Sequence, residues 1–281
     1  MSDWRDTVVA WPDGLADGIL LVDKPSGPTS HDIVAAVRSR VPKGRKVGHA
    51  GTLDPFASGL LIVLVGRATR VQRLLMGQAK TYEVVAHLGH VSDTGDRDGT
   101  VTATGNVPPD PPDLPTGRLM QRPPAYSAIK VGGRRAYQLA RAGHDVELEP
   151  REVEVTRFEQ TTRRGDVAEF VIACSSGTYV RSLIADLGDA YCRELRRTSI
   201  GPFEVGAAGP HPLDLVDVLC QLLPVVECDS ALADSIGHGQ RPEAPADAPQ
   251  DTEFVCVDPE GQPVALVQVS DGHLVSSVGF R

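Results

Sequence analysis

The chain has 281 residues, 41% of them hydrophobic and 23% charged, with a formal net charge of −9 at pH 7. That length suits about two domains at ~100–200 residues each, with enough apolar content for a buried core. No run reaches the ~18 uninterrupted apolar residues of a membrane helix, and Gly66 and Arg67 stop the longest candidate.

The N-terminal MSDWRDTVV lacks a basic and then apolar leader, so a cytoplasmic protein is expected. Cysteines at 174, 192, 220, 228 and 256 show no CxxC spacing and read as reduced thiols, with neither a zinc site nor a disulfide frame. The net charge argues against a nucleic-acid partner, because phosphates call for Lys and Arg. The charge is uneven, however. Arg241 and Arg281 are the only Lys or Arg of residues 201–281, a strongly acidic stretch, and residues 1–200 are left slightly positive. A polyanion-binding N-terminal part is therefore open.

Gly18–Val22 reads as a buried strand that enters a turn at Lys24-Pro25 and Gly27-Pro28. Thr29 or Ser30 then caps a helix with Ile33, Val34, Val37 and Val41 at helical spacing. It runs into Arg38, Arg40, Lys43, Arg45 and Lys46, either a solvated face or a grip on phosphates. Leu60–Val65 suits a strand covered on both faces. Arg67–Met76 reads as a helix with Arg67, Arg70 and Arg73 on its outer side. Strict alternation over Lys80–Leu88 predicts a strand with Tyr82 pointing inward or into a cleft. The prolines of residues 105–125 predict a loop or an inserted excursion. Arg151–Gln160 and Val167–Cys174 follow as strands, and a helix is expected over Tyr179–Tyr191. Another helix is expected near Leu213–Leu223, then a linker at 242–250, then a hairpin of Phe254–Val257 with Val264–Val269.

The segment Val47–Gly59 is the most informative. Its glycines let backbone approach a ligand and present His49 and Asp54 just before a buried strand. Asp54 precedes Pro55, which biases it toward extended backbone. Such an aspartate can be a nucleophile or base, or simply a turn residue or cap. A nucleophilic carboxylate must stay ionised in a partly dry cleft, which calls for a cation. Arg181 is the candidate, with a fork able to hold a carboxylate through two bonds; read alone it is also an ordinary surface arginine. Tyr82 offers an aromatic face for a base, or a core ring.

Four blocks in order are similar to one known family: Leu21–Ser30, Gly48–Leu60, Gln121–Lys130 with Gly133, Tyr137, Ala140 and Arg141, and Cys174–Gly188. Over about residues 18–205 the chain resembles the bacterial TruB family of tRNA pseudouridine-55 synthases. The resemblance implies an α/β (α+β) pseudouridine synthase fold, with a mixed, mainly antiparallel central sheet flanked by helices. It implies an N-terminal extension at 1–17, a catalytic domain at 18–210 with an inserted RNA-gripping segment at about 105–150, a helical connection at 211–241, and a small PUA-like or family-specific β unit at 251–281. The implied activity is isomerisation of the T-loop uridine of tRNA, with no cofactor or metal. Asp54, Tyr82 and Arg181 match the family's catalytic residues, and Tyr179 and Leu195 fall at its uracil pocket. His49 matches the histidine placed among displaced bases. Lys130, Arg134, Arg135 and Arg141 would hold phosphates, with Lys43, Arg45 and Lys46 as a second grip. Ser176 stands where many relatives carry Lys. The link from Gly188 to Arg196 is shorter than in some relatives, which bears on Leu195. A monomer with no obligatory protein partner is expected. Two other readings are an RNA chaperone of the tRNA elbow and a related synthase acting on another RNA.

Overall fold

The computed structural model describes residues 17–127, 129–146 and 148–281. The N-terminal extension expected over 1–17 lies, except for Asp17, outside the described residues. The first apolar run forms β1 (Gly18–Lys24), and the chain turns into α1 (Ser30–Arg38). Thr29 caps this helix: its hydroxyl accepts from Asp32 N while the Asp32 carboxylate accepts from Thr29 N. Ile33, Val34 and Val37 form its buried stripe. After the basic loop come β2 (Val47–His49) and β3 (Ser58–Val65), and β3 is buried along almost its whole length. The helix expected over Arg67–Met76 is in two pieces, a 3-10 turn at Gly66–Val71 followed by α2 (Gln72–Gly77). β4 (Lys80–Leu88) alternates as the sequence does, with Tyr82 on its buried face.

A short excursion follows, built on the hairpin of β5 (His90–Ser92) and β6 (Val101–Ala103). The stretch 105–125 is irregular except for β7 (Gly117–Gln121). This departs from the expected loop because the prolines flank residues 117–121 and leave their amides able to pair. A second hairpin, β8 (Lys130–Val131) and β9 (Arg134–Arg135), turns at Gly132-Gly133 and leads into α3 (Ala136–Arg141). Next come β10 (Arg151–Arg164), β11 (Val167–Cys174), α4 (Val180–Ala185), β12 (Ala190–Ile200) and β13 (Phe203–Glu204).

The helix expected to reach Tyr191 ends at Ala185. Gly188, at φ +123°, breaks it, and Tyr191 joins a strand that finds ladder partners on β4 and β3. The main sheet runs β1-β3-β12-β4-β11-β10-β7, with β2 on β3 and β13 on β12. Among the described residues only the β12–β3 contact of this sheet is parallel, so the sheet is mixed and mainly antiparallel, as expected. That contact spans two residue pairs, Arg196↔Ser58 and Arg197↔Gly59. Gly59 sits at φ +102°, and a Cβ there would lie 2.2 Å from the Arg197 carbonyl oxygen, so only glycine allows the approach.

The C-terminal part contains α5 (Leu215–Leu222), β14 (Val225–Glu227), α6 (Ser230–Gly237), β15 (Phe254–Val257), β16 (Pro263–Ser270) and β17 (His273–Gly279). The last four strands pair in order β14-β15-β16-β17. The hairpin predicted around Asp258–Gly261 is present, its turn held by the Asp258 carboxylate on the amides of Glu260 and Gln262. β14 comes from the segment expected as a helical connection and pairs in parallel with β15, so this sheet starts upstream of residues 242–250. One apolar core joins it to the main body through Leu64, Val71, Leu75, Leu219, Val255 and Phe280. The basic side of the 67–76 segment faces this acidic unit. Arg67 and Arg70 donate to the carbonyls of Phe280 and Gly279, and Arg73 pairs with Glu253.

Candidate active site

The loop between β2 and β3 carries Asp54, and its neighbours on both sides are pinned. The Ser30 hydroxyl accepts from Leu53 N at 2.9 Å and donates to Leu53 O at 3.2 Å. On the other side the Pro55 carbonyl accepts from Gly27 N at 2.8 Å. The same carbonyl lies 3.4 Å from Lys24 Nζ, which also donates to Pro25 O and Pro28 O at 2.9 Å each. Lys24 is fully buried, and that burial brings its pKa down to about 8. Tied to three carbonyls, Lys24 braces the turn, as its pairing with Pro25 in the sequence suggests.

Arg181 lies in the first turn of α4, with 4% of its side chain exposed. Its Nε is 2.9 Å from Asp54 Oδ2. The sequence suggests a fork closed on one carboxylate, but the fork is divided: Nη1 donates to Thr94 O at 2.5 Å and lies 3.4 Å from Asp96 Oδ2, and Nη2 donates to Tyr126 O at 2.9 Å. The guanidinium therefore fits one orientation, set by segments far apart in the chain. Two influences compete at the Asp54 carboxyl. Burial of its surroundings is the larger and pushes its pKa up, and Asp96 adds to that rise. The charge and hydrogen bond of Arg181 pull it down, helped by Lys24. About a third of the side chain, 36%, still faces solvent, so the carboxylate is both held and reachable.

Tyr82 on β4 is buried in the apolar cluster that contains Leu53, Phe56, Val84, Leu195 and the α4 residues Val180 and Leu183. Burial pushes its phenol above the ordinary range, while the charge and hydrogen bond of Arg197 oppose the rise. Arg197 is itself 1% exposed and donates to Leu60 O at 2.7 Å and Gly51 O at 3.0 Å. Leu195, on β12 across from Val84, belongs to the same cluster. Tyr179 precedes α4, and the Gln121 side chain bonds both its N–H, at 2.8 Å, and its C=O, at 3.0 Å. The Arg151 guanidinium carbon lies 5.1 Å from its ring centre. The structure thus brings Asp54 and Arg181 into contact, with Tyr82 and Leu195 in the cluster beside them and Tyr179 near Arg181 in sequence. A cavity of about 550 Å³ adjoins this cluster, lined by Ser26, Phe56, Ser58, Arg97 and Leu195, with Arg97 donating to Ser26 Oγ at 2.7 Å.

His49, on β2, meets His31 edge-on at 5.4 Å between ring centres. Burial, aided by His31 and Arg197, lowers its pKa to about 4, so the ring is neutral at ordinary pH. Lys43, Lys46, Lys130, Arg134 and Arg135 are exposed, in the loop after α1 and on the β8–β9 hairpin. Arg45 is half-buried and pairs with Asp17 at 3.3 Å. Arg141 ends α3, and its side chain lies outside the described residues.

Sequence reasoning missed Asp96, Thr94, Ser30's role in the loop, and Arg197. Period-two alternation along Glu194–Arg197 carries a signal for the last: Arg196 turns out to a bidentate pair with Asp23, at 2.9 and 2.7 Å, and Arg197 turns in. The others act through backbone or long-range contacts that leave no local pattern.

The profile of the TruB family pseudouridylate synthase N-terminal domain matches residues 39–180. The chain is 40% identical to tRNA pseudouridine synthase B of Corynebacterium aurimucosum, with 92% of this chain and 94% of that protein covered. It is 43% identical to the protein of that name from Cutibacterium acnes, with 81% and 85% covered. Among solved structures, a Cbf5-Nop10-Gar1 complex matches with a TM-score of 0.69 and 23% identity, covering 99% of this chain and 87% of that one, which is a likeness of fold.

Proposed function

We infer that the pairing of Asp54 with Arg181 serves the isomerisation of a tRNA uridine to pseudouridine, because the chain belongs to the TruB family of pseudouridylate synthases. The observation that carries the reading is the Asp54 carboxylate, partly open to solvent, held 2.9 Å from the buried Arg181 guanidinium, next to the apolar cluster that holds the buried Tyr82. Asp54 attacks the target nucleoside, at the base or at the ribose C1′, and the bond it makes is broken again before product leaves, which restores the free carboxylate. The N1–C1′ bond breaks, the uracil turns, and a C5–C1′ bond replaces it while the C5 proton leaves and N1 regains one. Substrate and product are isomers, so the step balances without a redox partner. Arg181 keeps the nucleophile ionised and aimed. Tyr82 stacks on the uracil and passes a proton, and Tyr179 and Leu195 bound the pocket.

A uridine inside a folded T loop is out of reach until it is flipped out, at a cost of a few kcal/mol. The neutral His49 ring suits the space left behind. Lys130, Arg134, Arg135 and Arg141, with Lys43, Arg45 and Lys46, contact phosphates and fix the RNA register. The chain does this as a monomer with no obligatory protein partner. Among the described residues no helix is long and apolar enough to cross a membrane. Five free cysteines agree with a reducing, cytoplasmic setting. The complete acid, phenol and guanidinium set favours catalysis over a chaperone role alone.

The test maps pseudouridine in an unmodified T-arm stem-loop incubated with the chain and with its Asp54→Asn variant. Product from the wild type alone, with RNA affinity kept by the variant, is expected. Equal product from both rules out Asp54 as the nucleophile.

A further inference from the structure

At the far end of β4 from Tyr82, and on the opposite face of the sheet, three side chains converge that the reaction above does not use. His87 stands on β4, His90 begins β5, and Asp166 sits in the turn between β10 and β11. The two imidazoles stack with ring centres 3.9 Å apart and planes 25° from parallel. His87 Nε2 is 3.1 Å from Asp166 Oδ2, and one ligand atom from each of the three residues lies within 4.8 Å of the others.

The remaining ring nitrogens are already engaged, which matters for what the cluster can bind. A carbonyl only accepts, so the 3.0 Å contact of His90 Nδ1 with Leu88 O puts the proton on Nδ1 and leaves Nε2 with a lone pair. The Asp166 carboxylate also only accepts, so without an ion His87 Nε2 donates to it and Nδ1 accepts from the Tyr191 hydroxyl 3.1 Å away; an ion that takes Nε2 displaces this proton, and Nδ1 then carries it with the hydroxyl turned to accept. Metal-binding histidines are oriented like this, with one nitrogen for the ion and the other tied to a polar group of the protein. The backbone beneath is fixed as well. Leu88 N donates to Asp166 O at 2.7 Å, His90 N donates to Asp189 O at 3.2 Å, and His87 pairs across the ladder with Val167 and Tyr191.

We propose that His87, His90 and Asp166 form a site for a divalent cation of the Zn²⁺ class, held by two imidazole nitrogens and one carboxylate oxygen, with water completing the tetrahedron. Two imidazoles in three protein ligands select against Mg²⁺ and Ca²⁺, which take oxygen. The Asp166 side chain is 53% exposed and gives the ion a way in. An ion here ties together β4, the β10–β11 turn and the base of the excursion whose Thr94 and Asp96 hold Arg181. Its effect is to stiffen the support of the catalytic arginine from behind, without entering the chemistry.

The test titrates the full-length, untagged, chelator-stripped chain with ZnCl₂, and separately with MgCl₂, by calorimetry at about pH 7.5, above the ordinary imidazole range. Binding of one Zn²⁺ per chain is expected, with a rise in melting temperature and no comparable response to Mg²⁺. His90→Gln and Asp166→Asn are each expected to weaken Zn²⁺ binding by more than about tenfold while melting like the wild type without zinc. If His90→Gln fails to fold, Asp166→Asn, an isosteric change at a half-exposed side chain, decides alone. Absence of stoichiometric binding, or undiminished binding by the variants, overturns the proposal and leaves a hydrogen-bonded surface cluster.

Discussion

Replacing Arg181 with lysine keeps the positive charge and removes the planar fork. In the structure that fork reaches four oxygens, Asp54 Oδ2 at 2.9 Å, Thr94 O at 2.5 Å, Tyr126 O at 2.9 Å and Asp96 Oδ2 at 3.4 Å. An ammonium is a compact point donor and cannot serve a carboxylate and carbonyls from two other segments at once. At least one charge-assisted bond is broken, each contributing about 1.5–3 kcal/mol. If Asp54 is left without its partner, the rate falls roughly 10- to 150-fold, at 1.36 kcal/mol per factor of ten. If a carbonyl is orphaned instead, the loss appears as about 1–3 kcal/mol of unfolding free energy. Single-turnover pseudouridine formation on a T-arm stem-loop, run beside urea unfolding, separates the two. Lysine keeps the charge that supplies the larger part of Arg181's pull on Asp54 but loses the guanidinium's hydrogen bond, so the Asp54 pKa rises further. The reaction needs the ionised carboxylate, so the acid limb of kcat moves to higher pH. A variant within about threefold of the wild-type rate, with an unmoved acid limb, would show that Asp54 does not depend on this contact.

Tyr82→Phe keeps the ring and removes the phenol that Arg197 contacts; a loss of about 1 kcal/mol in stability and of roughly 10²–10⁴ in kcat is expected, with RNA affinity kept. Binding measured by filter retention against salt should reveal the phosphate grip: charge reversal at Lys130 and Arg134 should lower affinity and flatten the slope by about 0.7–0.9 for each phosphate no longer neutralised, and an unchanged slope removes the hairpin from the interface. His49 tests the pH response of the fold. Its folded pKa of about 4 lies below the ordinary value of 6.5, so the stability from keeping it neutral is complete above the unfolded pKa and is lost as pH falls toward the folded one. Urea midpoints should therefore drop between about pH 6.5 and pH 4, and His49→Gln should blunt that drop.

The loop that carries Asp54 was legible because its pattern is local. Glycines, a histidine and an Asp-Pro in one short segment mark a turn that presents polar groups, and strict alternation places Tyr82 on the buried face of β4. The capped helix α1 and the C-terminal hairpin were readable for the same reason. β12 was missed: its first two residues were taken into a helix because Leu183, Ile184 and Leu187 fit a helical stripe, and only the ladder partners on β3 and β4 settle residues 190–200 as strand. Asp96 and the carbonyls of Thr94 and Tyr126 left no mark, since what they do depends on where a residue 55 or more positions away comes to rest. β14 escaped for a related reason: three residues long, it is a strand only because β15 lies beside it.

The clamp on Arg181 has a bearing on the life of the protein before it meets RNA. Its oxygens come from residues 54, 94, 96 and 126, so the guanidinium finds its seat only after these stretches have all docked with α4. On the function proposed above, a nascent or partly misassembled polypeptide carries the same acid but lacks the means to aim it, and turnover becomes a sensitive gauge of native topology.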